Sequence, residues 1–143
     1  MPEKAINPNA TQSDWARLAA FIDGEGCINI HTSYKGSAGS VHRVRIQVAN
    51  TDARLPHWVI QTFGVGHVYV NRGTGPRPVY FWEVAGRTAQ AILRACLSHF
   101  VIKREQAEIA LRFHVGSVGK RLTVVERDAR ESLKQNLMQL KRA

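Results

Sequence analysis

Two carboxylates, Asp23 and Glu25, stand two positions apart in the stretch Leu18-Ala19-Ala20-Phe21-Ile22-Asp23-Gly24-Glu25-Gly26. Acids brought close to other acids are costly unless a cation sits between them, so the chemistry they suggest is divalent-metal binding. The helix that must carry them shows where further acids would come from. Trp15, Leu18, Ala19 and Ile22 recur at i, i+3, i+4 and i+7, one apolar stripe for the chain's own core. Well round the helix, Ala16, Ala20 and Gly24 recur every fourth residue and form a ridge with almost no side chain. Such a ridge lets a second backbone approach closely, and a second copy of the same helix would bring Asp23 and Glu25 beside their symmetry mates. Ridge and acids together predict a dimer interface at Ala16, Ala20, Asp23 and Gly24 with a metal site on its axis. Thr11 or Ser13 serves as N-cap, Asp14 suits the positive end of the helix dipole, and Gly24 and Gly26 supply the stop. The helix is expected over roughly residues 12 to 24.

A second set of residues carries donors. Cys27 to Tyr34 alternates as a strand, with Ile28, Ile30 and Thr32 on one side and Asn29, His31 and Ser33 on the other. A polar turn from Lys35 to Ser40 leads into Val41 to Ala49, where Val44, Ile46 and Val48 face one way and Arg43, Arg45 and Gln47 the other. A two-stranded ribbon with Arg and Gln on one side can enter the DNA major groove, where Arg pairs with guanine and Gln with adenine. A solvated outer sheet face accounts for polar residues in general but not for their sign. No acid occurs from Gly26 through Thr51, which favours contact with phosphates and bases. The whole chain agrees: 20 Lys and Arg against 11 acids give +9, the balance of a polyanion binder.

The remaining elements continue the pattern. Asn50-Thr51-Asp52 opens a short helix with Leu55, Trp58, Val59 and Phe63 on its apolar side and Gly64 as its stop, and Arg54 lies in or just before its first turn. A second hairpin follows, His67 to Asn71 and Pro78 to Val84, joined through Arg72-Gly73-Thr74-Gly75-Pro76. Its polar face carries His67, Tyr69 and Asn71, with Arg72 and Arg77 at the tip, while Tyr80, Trp82 and Val84 are placed toward the core, a register that Phe81 complicates. Helices are predicted over Thr88 to Leu97 and Gln106 to Phe113, with Phe100-Val101-Ile102-Lys103-Arg104-Glu105-Gln106-Ala107 between and into them. Lys103, a cation at a helix start, is poorly placed for its own dipole, which favours an anion from outside. Gly116 to Gly119 is a linker, and Thr123-Val124-Val125-Glu126 makes a capping box for a last, mostly polar helix expected to pack weakly, with Lys134, Lys141 and Arg142 free for flanking phosphates.

The Leu18–Gly26 stretch resembles the signature of the LAGLIDADG homing endonucleases, and the Phe100–Ala107 stretch is similar to a second part of that family. The departures in the signature are Ala20 for the usual glycine and Glu25 where aspartate is also common. The resemblance implies an α/β (α+β) fold of order αββαββα whose four-stranded antiparallel sheet is a DNA-reading saddle, with extra C-terminal helices. It covers a core of about residues 12–114, with 115–143 as linker and last helix in one domain. It also implies metal-dependent hydrolysis of both strands of double-stranded DNA, with Mg2+ at Glu25 and the adjoining Gly24. Asn50, Arg54 and Lys103 match by position the polar and basic groups that order water and neutralise charge at the scissile phosphates. Asp23 is assigned to orienting the helix end rather than to metal. One copy of the signature and no internal repeat imply the homodimeric branch. The family's other employments, an intron maturase that binds RNA and a regulator that binds DNA without cutting, are the alternatives, and Glu25 together with Lys103 argues against the regulator.

Other classes are disfavoured by simple features. Met1 to Ala10 has neither the apolar run of a signal peptide nor the Arg-rich pattern of a transit peptide, and no apolar run is long enough to span a bilayer. A soluble intracellular, cytoplasmic protein with no membrane partner is expected. Cys27 and Cys96 lie far apart without CxxC or HxxxH motifs, so free thiols are expected rather than a disulfide or zinc site. No small-molecule cofactor is expected.

Overall fold

The computed structural model describes residues 5–34, 40–113 and 123–142. Helix α1 (Gln12–Glu25) leads into strands β1 (Gly26–Tyr34) and β2 (Ser40–Asn50), followed by α2 (Arg54–Phe63), β3 (His67–Asn71), β4 (Val79–Ala85), α3 (Gly86–Cys96), a 3-10 turn (Leu97–His99), α4 (Arg104–Leu111) and α5 (Val124–Arg142). The order αββαββα with added C-terminal helices is the one the alternation and cap signals predict.

The four strands form one antiparallel sheet in the order β1-β2-β4-β3. Its helix-side face is apolar because every second residue is: Ile28, Ile30, Val44, Ile46, Val48, Trp82 and Val84 are all buried. Against them lie Leu18 and Ile22 of α1, Val59 and Phe63 of α2, and Ile92 and Leu93 of α3, one contiguous core. Trp82 is fully buried, and its indole N–H donates to the Val65 carbonyl at 2.9 Å, as a buried indole requires.

Helix α1 opens on a capping box: the Thr11 hydroxyl accepts from the Asp14 amide at 3.1 Å, and the Asp14 carboxylate accepts from the Thr11 amide at 2.9 Å. Its end differs from the expectation. Gly24 does not stop the helix, which runs through Glu25. Gly26 then turns the chain straight into β1 with φ −113°, ordinary extended backbone. The requirement for glycine there is space: a Cβ would stand 2.7 Å from the Ile22 Cα and 3.0 Å from the Gln47 carbonyl oxygen. Glu25 is therefore the last helical residue, carried at the outer end of α1. Helix α2 stops as predicted, at Gly64 in the left-handed region (φ 72°), with its amide donating to the Ile60 carbonyl.

Helix α5 begins with the Thr123 hydroxyl accepting from the Glu126 amide. It lies along α4 and β1 with Leu137 fully buried. Lys134 donates to the Thr32 hydroxyl at 2.6 Å, and Lys141 lies 3.3 Å from the Cys27 sulfur. These two lysines, expected to be free for phosphates, hold the helix to β1 instead. The Gly116–Gly119 linker lies outside the described residues. No helix among the described residues is long and apolar enough to cross a membrane.

Candidate active site and nucleic-acid interface

The two acids of α1 have different surroundings. Asp23 accepts three backbone amides, those of Val101 (2.8 Å), Ile102 (3.3 Å) and Lys103 (2.9 Å), and so caps the entrance to α4. Lys103 returns the contact, its ammonium donating to the carbonyls of Ile22 (2.9 Å) and Asp23 (2.7 Å). The negative end of the α1 dipole thus meets a cation, and each helix caps the other. In this state the Lys103 ammonium rests on two neutral carbonyls of its own chain. Glu25 stands at the same end of α1, exposed, and nothing among the described residues bonds its carboxylate.

Strand β2 ends beside this corner, since Gly26 pairs with Val48 and Asn50 lies two residues on. The Asn50 side-chain oxygen accepts from the Asp52 amide at 2.8 Å, a local turn that starts α2. Arg54 is 90% exposed, and its guanidinium grips Asp52 at 2.6 Å. Hydrogen bonds from Arg54 pull the Asp52 carboxyl down to about 2. Asn50, Asp52 and Arg54 share an open groove with Arg17, Phe21, Leu55 and Trp58. In its wall Arg17 sits over the Trp58 ring at 5.3 Å, and Phe21 meets Trp58 edge-on at 5.6 Å. The α1 C-terminus, the end of β2 and the 101–103 loop therefore converge, bringing Glu25, Asn50 and Lys103 to one corner and Arg54 to the groove beside it.

A single exposed carboxylate does not hold a divalent ion by itself, and among the described residues no group of three or more His, Cys, Asp or Glu side chains does so. The donor set nevertheless fits magnesium or calcium. Both take hard oxygen ligands, and magnesium is commonly bound through one or two carboxylates plus phosphate oxygens and water. Asp23 is engaged by three backbone donors, and among the described residues Glu25 is the acid at this corner that none bonds.

The sheet face turned away from the helices gathers the predicted donors. Asn29, His31 and Ser33 of β1 alternate opposite Arg45, Arg43 and Val41 of β2. Arg43 and His31 are exposed, and Arg72 and Arg77 are exposed at the β3–β4 turn, where the Asn71 side chain accepts from the Gly73 amide. Burial and the adjacent Arg45 hold the His31 imidazole below its ordinary value, so it carries little charge at neutral pH. Lys35 lies outside the described residues.

Two of these donors are not free. Arg45 donates from Nε to the Asn29 side-chain oxygen at 3.2 Å and places a terminal nitrogen 3.5 Å from Glu83. Gln47 donates to the Tyr69 hydroxyl at 2.9 Å. Strand β4 supplies what the sequence reading missed: with Tyr80, Trp82 and Val84 inward, Phe81 and Glu83 must face outward with the donors. Phe81 stacks on Tyr69 with ring centroids 4.9 Å apart and planes 6° apart, and His67 also stacks on Tyr69, at 5.6 Å. The available signal was Glu83, a charged residue whose place on the outer face carries Phe81, two positions before it, to the same face.

The small-residue ridge is open. Ala20 and Gly24 are exposed, and a Cβ at Gly24 would meet nothing within 4 Å. At the same end of α1, Val101 is 87% exposed and Ile102 70%, in the loop that Asp23 holds.

No family model matches the sequence, and no curated protein matches it. Solved structures do share the fold. The homing endonuclease I-CvuI superposes with a TM-score of 0.72 at 24% identity, covering 90% of this chain and 82% of that one, in a complex with DNA in the presence of magnesium in which the DNA is not cleaved. A second I-CvuI complex holds its target in the presence of calcium. The homing endonuclease I-TnaI gives a TM-score of 0.65 at 17% identity over 90% of this chain and 93% of that one. The LAGLIDADG homing endonuclease I-LtrWI, bound to target DNA, gives 0.66 at 18% identity, with 94% of this chain covering only 46% of that chain.

Proposed function

We propose that this chain, whose fold is that of the LAGLIDADG homing endonucleases, is a site-specific double-strand DNA endonuclease that acts as a homodimer with a divalent metal, magnesium in the first instance. The observation that carries the reading is the α1 terminus. An exposed Glu25, unbonded among the described residues, ends the helix, and the Lys103 ammonium lies on the carbonyls of Ile22 and Asp23. A protein that only grips DNA has no use for an acid turned toward a polyanion with no cation of its own to brace, since it weakens binding to every sequence alike.

Each residue has a task that its position allows. Glu25 is the metal ligand of each copy, with the Gly24 backbone beside it. When bound, the ion supplies Lewis acidity at the phosphate and activates water for attack. Lys103 keeps a positive charge at the same corner, where negative charge develops on the phosphate. Asn50 presents an amide that orders water, and Arg54 can exchange Asp52 for a phosphate oxygen. The reading face contacts DNA through Asn29, His31, Ser33, Lys35, Arg43, Arg45, Gln47, His67, Tyr69, Asn71, Arg72 and Arg77. Dimerisation through Ala16, Ala20, Asp23 and Gly24 places two such corners together. The exposed small-residue ridge at Ala20 and Gly24 supports assembly from two copies.

The test is a randomised DNA duplex library offered to the wild type and to Glu25→Gln with magnesium, calcium or chelator. The wild type is expected to cut a selected site with magnesium, and Glu25→Gln to bind that site without cutting. Undiminished cutting by Glu25→Gln overturns its role. A wild type that binds a site tightly and never cuts it is a regulator, not an enzyme.

A further inference from the structure

Glu83 is an acid on a face that otherwise offers donors. Its side chain is 17% exposed and lies at the centre of a cross-strand network. Arg45 approaches from β2 at 3.5 Å and His67 from β3 at 3.8 Å. In register Glu83 stands directly opposite both Gln47 and His67. Arg45, 22% exposed, is the residue most constrained by it: Asn29 takes Nε from one side and Glu83 faces a terminal nitrogen from the other.

The geometry has a consequence for how Arg45 meets DNA. A free arginine on a basic surface can swing to the nearest phosphate, a contact that carries no sequence information. A guanidinium braced from two sides keeps its remaining N–H groups in one direction, which bidentate recognition of guanine needs and phosphate binding does not. The acid itself repels the polyanion wherever the protein lands, so it contributes nothing to grip.

Building on the DNA-reading role of this face, we propose that Glu83 is a specificity-determining residue, a positioning group that braces Arg45 against Asn29 so that the guanidinium reads a base rather than closing on a phosphate.

The experiment is selection of bound duplexes from a randomised library by the full chain in calcium, for wild type, Arg45→Ala, Glu83→Gln and Glu83→Asp, followed by affinity against salt. Arg45→Ala identifies the base position that Arg45 reads. Glu83→Gln is expected to lower the preference at that same position by about tenfold. Its total affinity should rise, and its log–log salt slope should steepen by about 0.9 per half-site as Arg45 moves to phosphate. Glu83→Asp keeps the charge but withdraws the carboxylate by one methylene; it should relax the same position, and it decides the matter if the glutamine variant does not fold. Preference undiminished at that position in the folded Glu83 variants overturns this role alone. A wild type that selects no sequence overturns the reading of the whole face, and this role with it.

Discussion

Asp23 and Glu25 are the same chemistry two positions apart, and their neighbours give them opposite roles. Asp23 is structural: replacing it with Ala leaves the amides of Val101, Ile102 and Lys103 without their acceptor. Hydrogen bonds to a charged acceptor contribute about 1.5 to 3 kcal/mol, and because two of the three donors are exposed, denaturant titration of Asp23→Ala should show a loss near the lower end of that range. Glu25 makes no such contact among the described residues, so the stability of Glu25→Gln should stay within about 0.5 kcal/mol of wild type while DNA cutting is lost. A variant that loses stability and cutting together would mean that Glu25 acts through the fold. His31 gives a pH prediction. Burial and Arg45 depress its folded-state value below 6.5, so the unfolded chain binds more protons near and below that pH. Its contribution to stability is present above about 6.5 and is lost as pH falls. Urea midpoints measured between about pH 7.5 and 5.5 should therefore fall more in wild type than in His31→Gln.

At the scale of elements, the contrast is between α1, locked at both ends with four buried side chains, and α5, which buries one side chain fully. Helix α1 begins in a reciprocal capping box and ends on the Lys103 ammonium. Helix α5 has one fully buried side chain, Leu137, together with the Glu131–His42 contact at 2.7 Å and the Lys134–Thr32 hydrogen bond. Removing a buried leucine side chain costs about 2 to 5 kcal/mol. In Leu137→Ala that loss should fall on α5 alone, with hydrogen exchange speeding up along α5 while the β2 and β4 amides keep their protection. Equal loss of protection in the sheet would make α5 part of the cooperative core. Acid should act in the same direction. Hydrogen bonds from Gln135 and then His42 lower the Glu131 carboxyl, so their contribution is full above about 4.5 and is lost as pH falls further.

For the whole molecule, the question is what covers the outer face of α1. Ala20 and Gly24 are exposed, Gly24 has no neighbour where a Cβ would stand, and Val101 and Ile102 project beside it. Sedimentation equilibrium at micromolar concentration should show a dimer. Ala20→Leu would overfill a close helix contact at a cost of about 1 to 3 kcal/mol and shift the protein toward monomer. If dimerisation is unaffected by Ala20→Leu, the ridge is not the interface. The net charge of +9 acts at this scale too, attracting DNA over a range that salt shortens.

Features written in local periodicity were legible from the chain alone. Alternation in β1 and β2 sorted Ile28, Ile30, Val44, Ile46 and Val48 from Asn29, His31, Arg43, Arg45 and Gln47. The caps Thr11 and Gly64 marked helix ends, because backbone geometry sets these signals within a few residues. Gly24 misled for a physical reason: a glycine inside a helix with open space beside it looks in sequence like a stop. Only the tertiary structure decided which partner each polar group takes. Lys103 lies 80 residues from Asp23 in the chain yet donates to its carbonyl, and Arg45 and Glu83 meet because β2 happens to pair with β4 in that register. Phe81 was ambiguous by hydrophobicity, and the sheet turned it outward because Trp82, its neighbour on the opposite face, fills the core, where its indole N–H finds the Val65 carbonyl. Side chains reach several ångströms in any direction, so their partners depend on which elements pack side by side rather than on spacing along the chain.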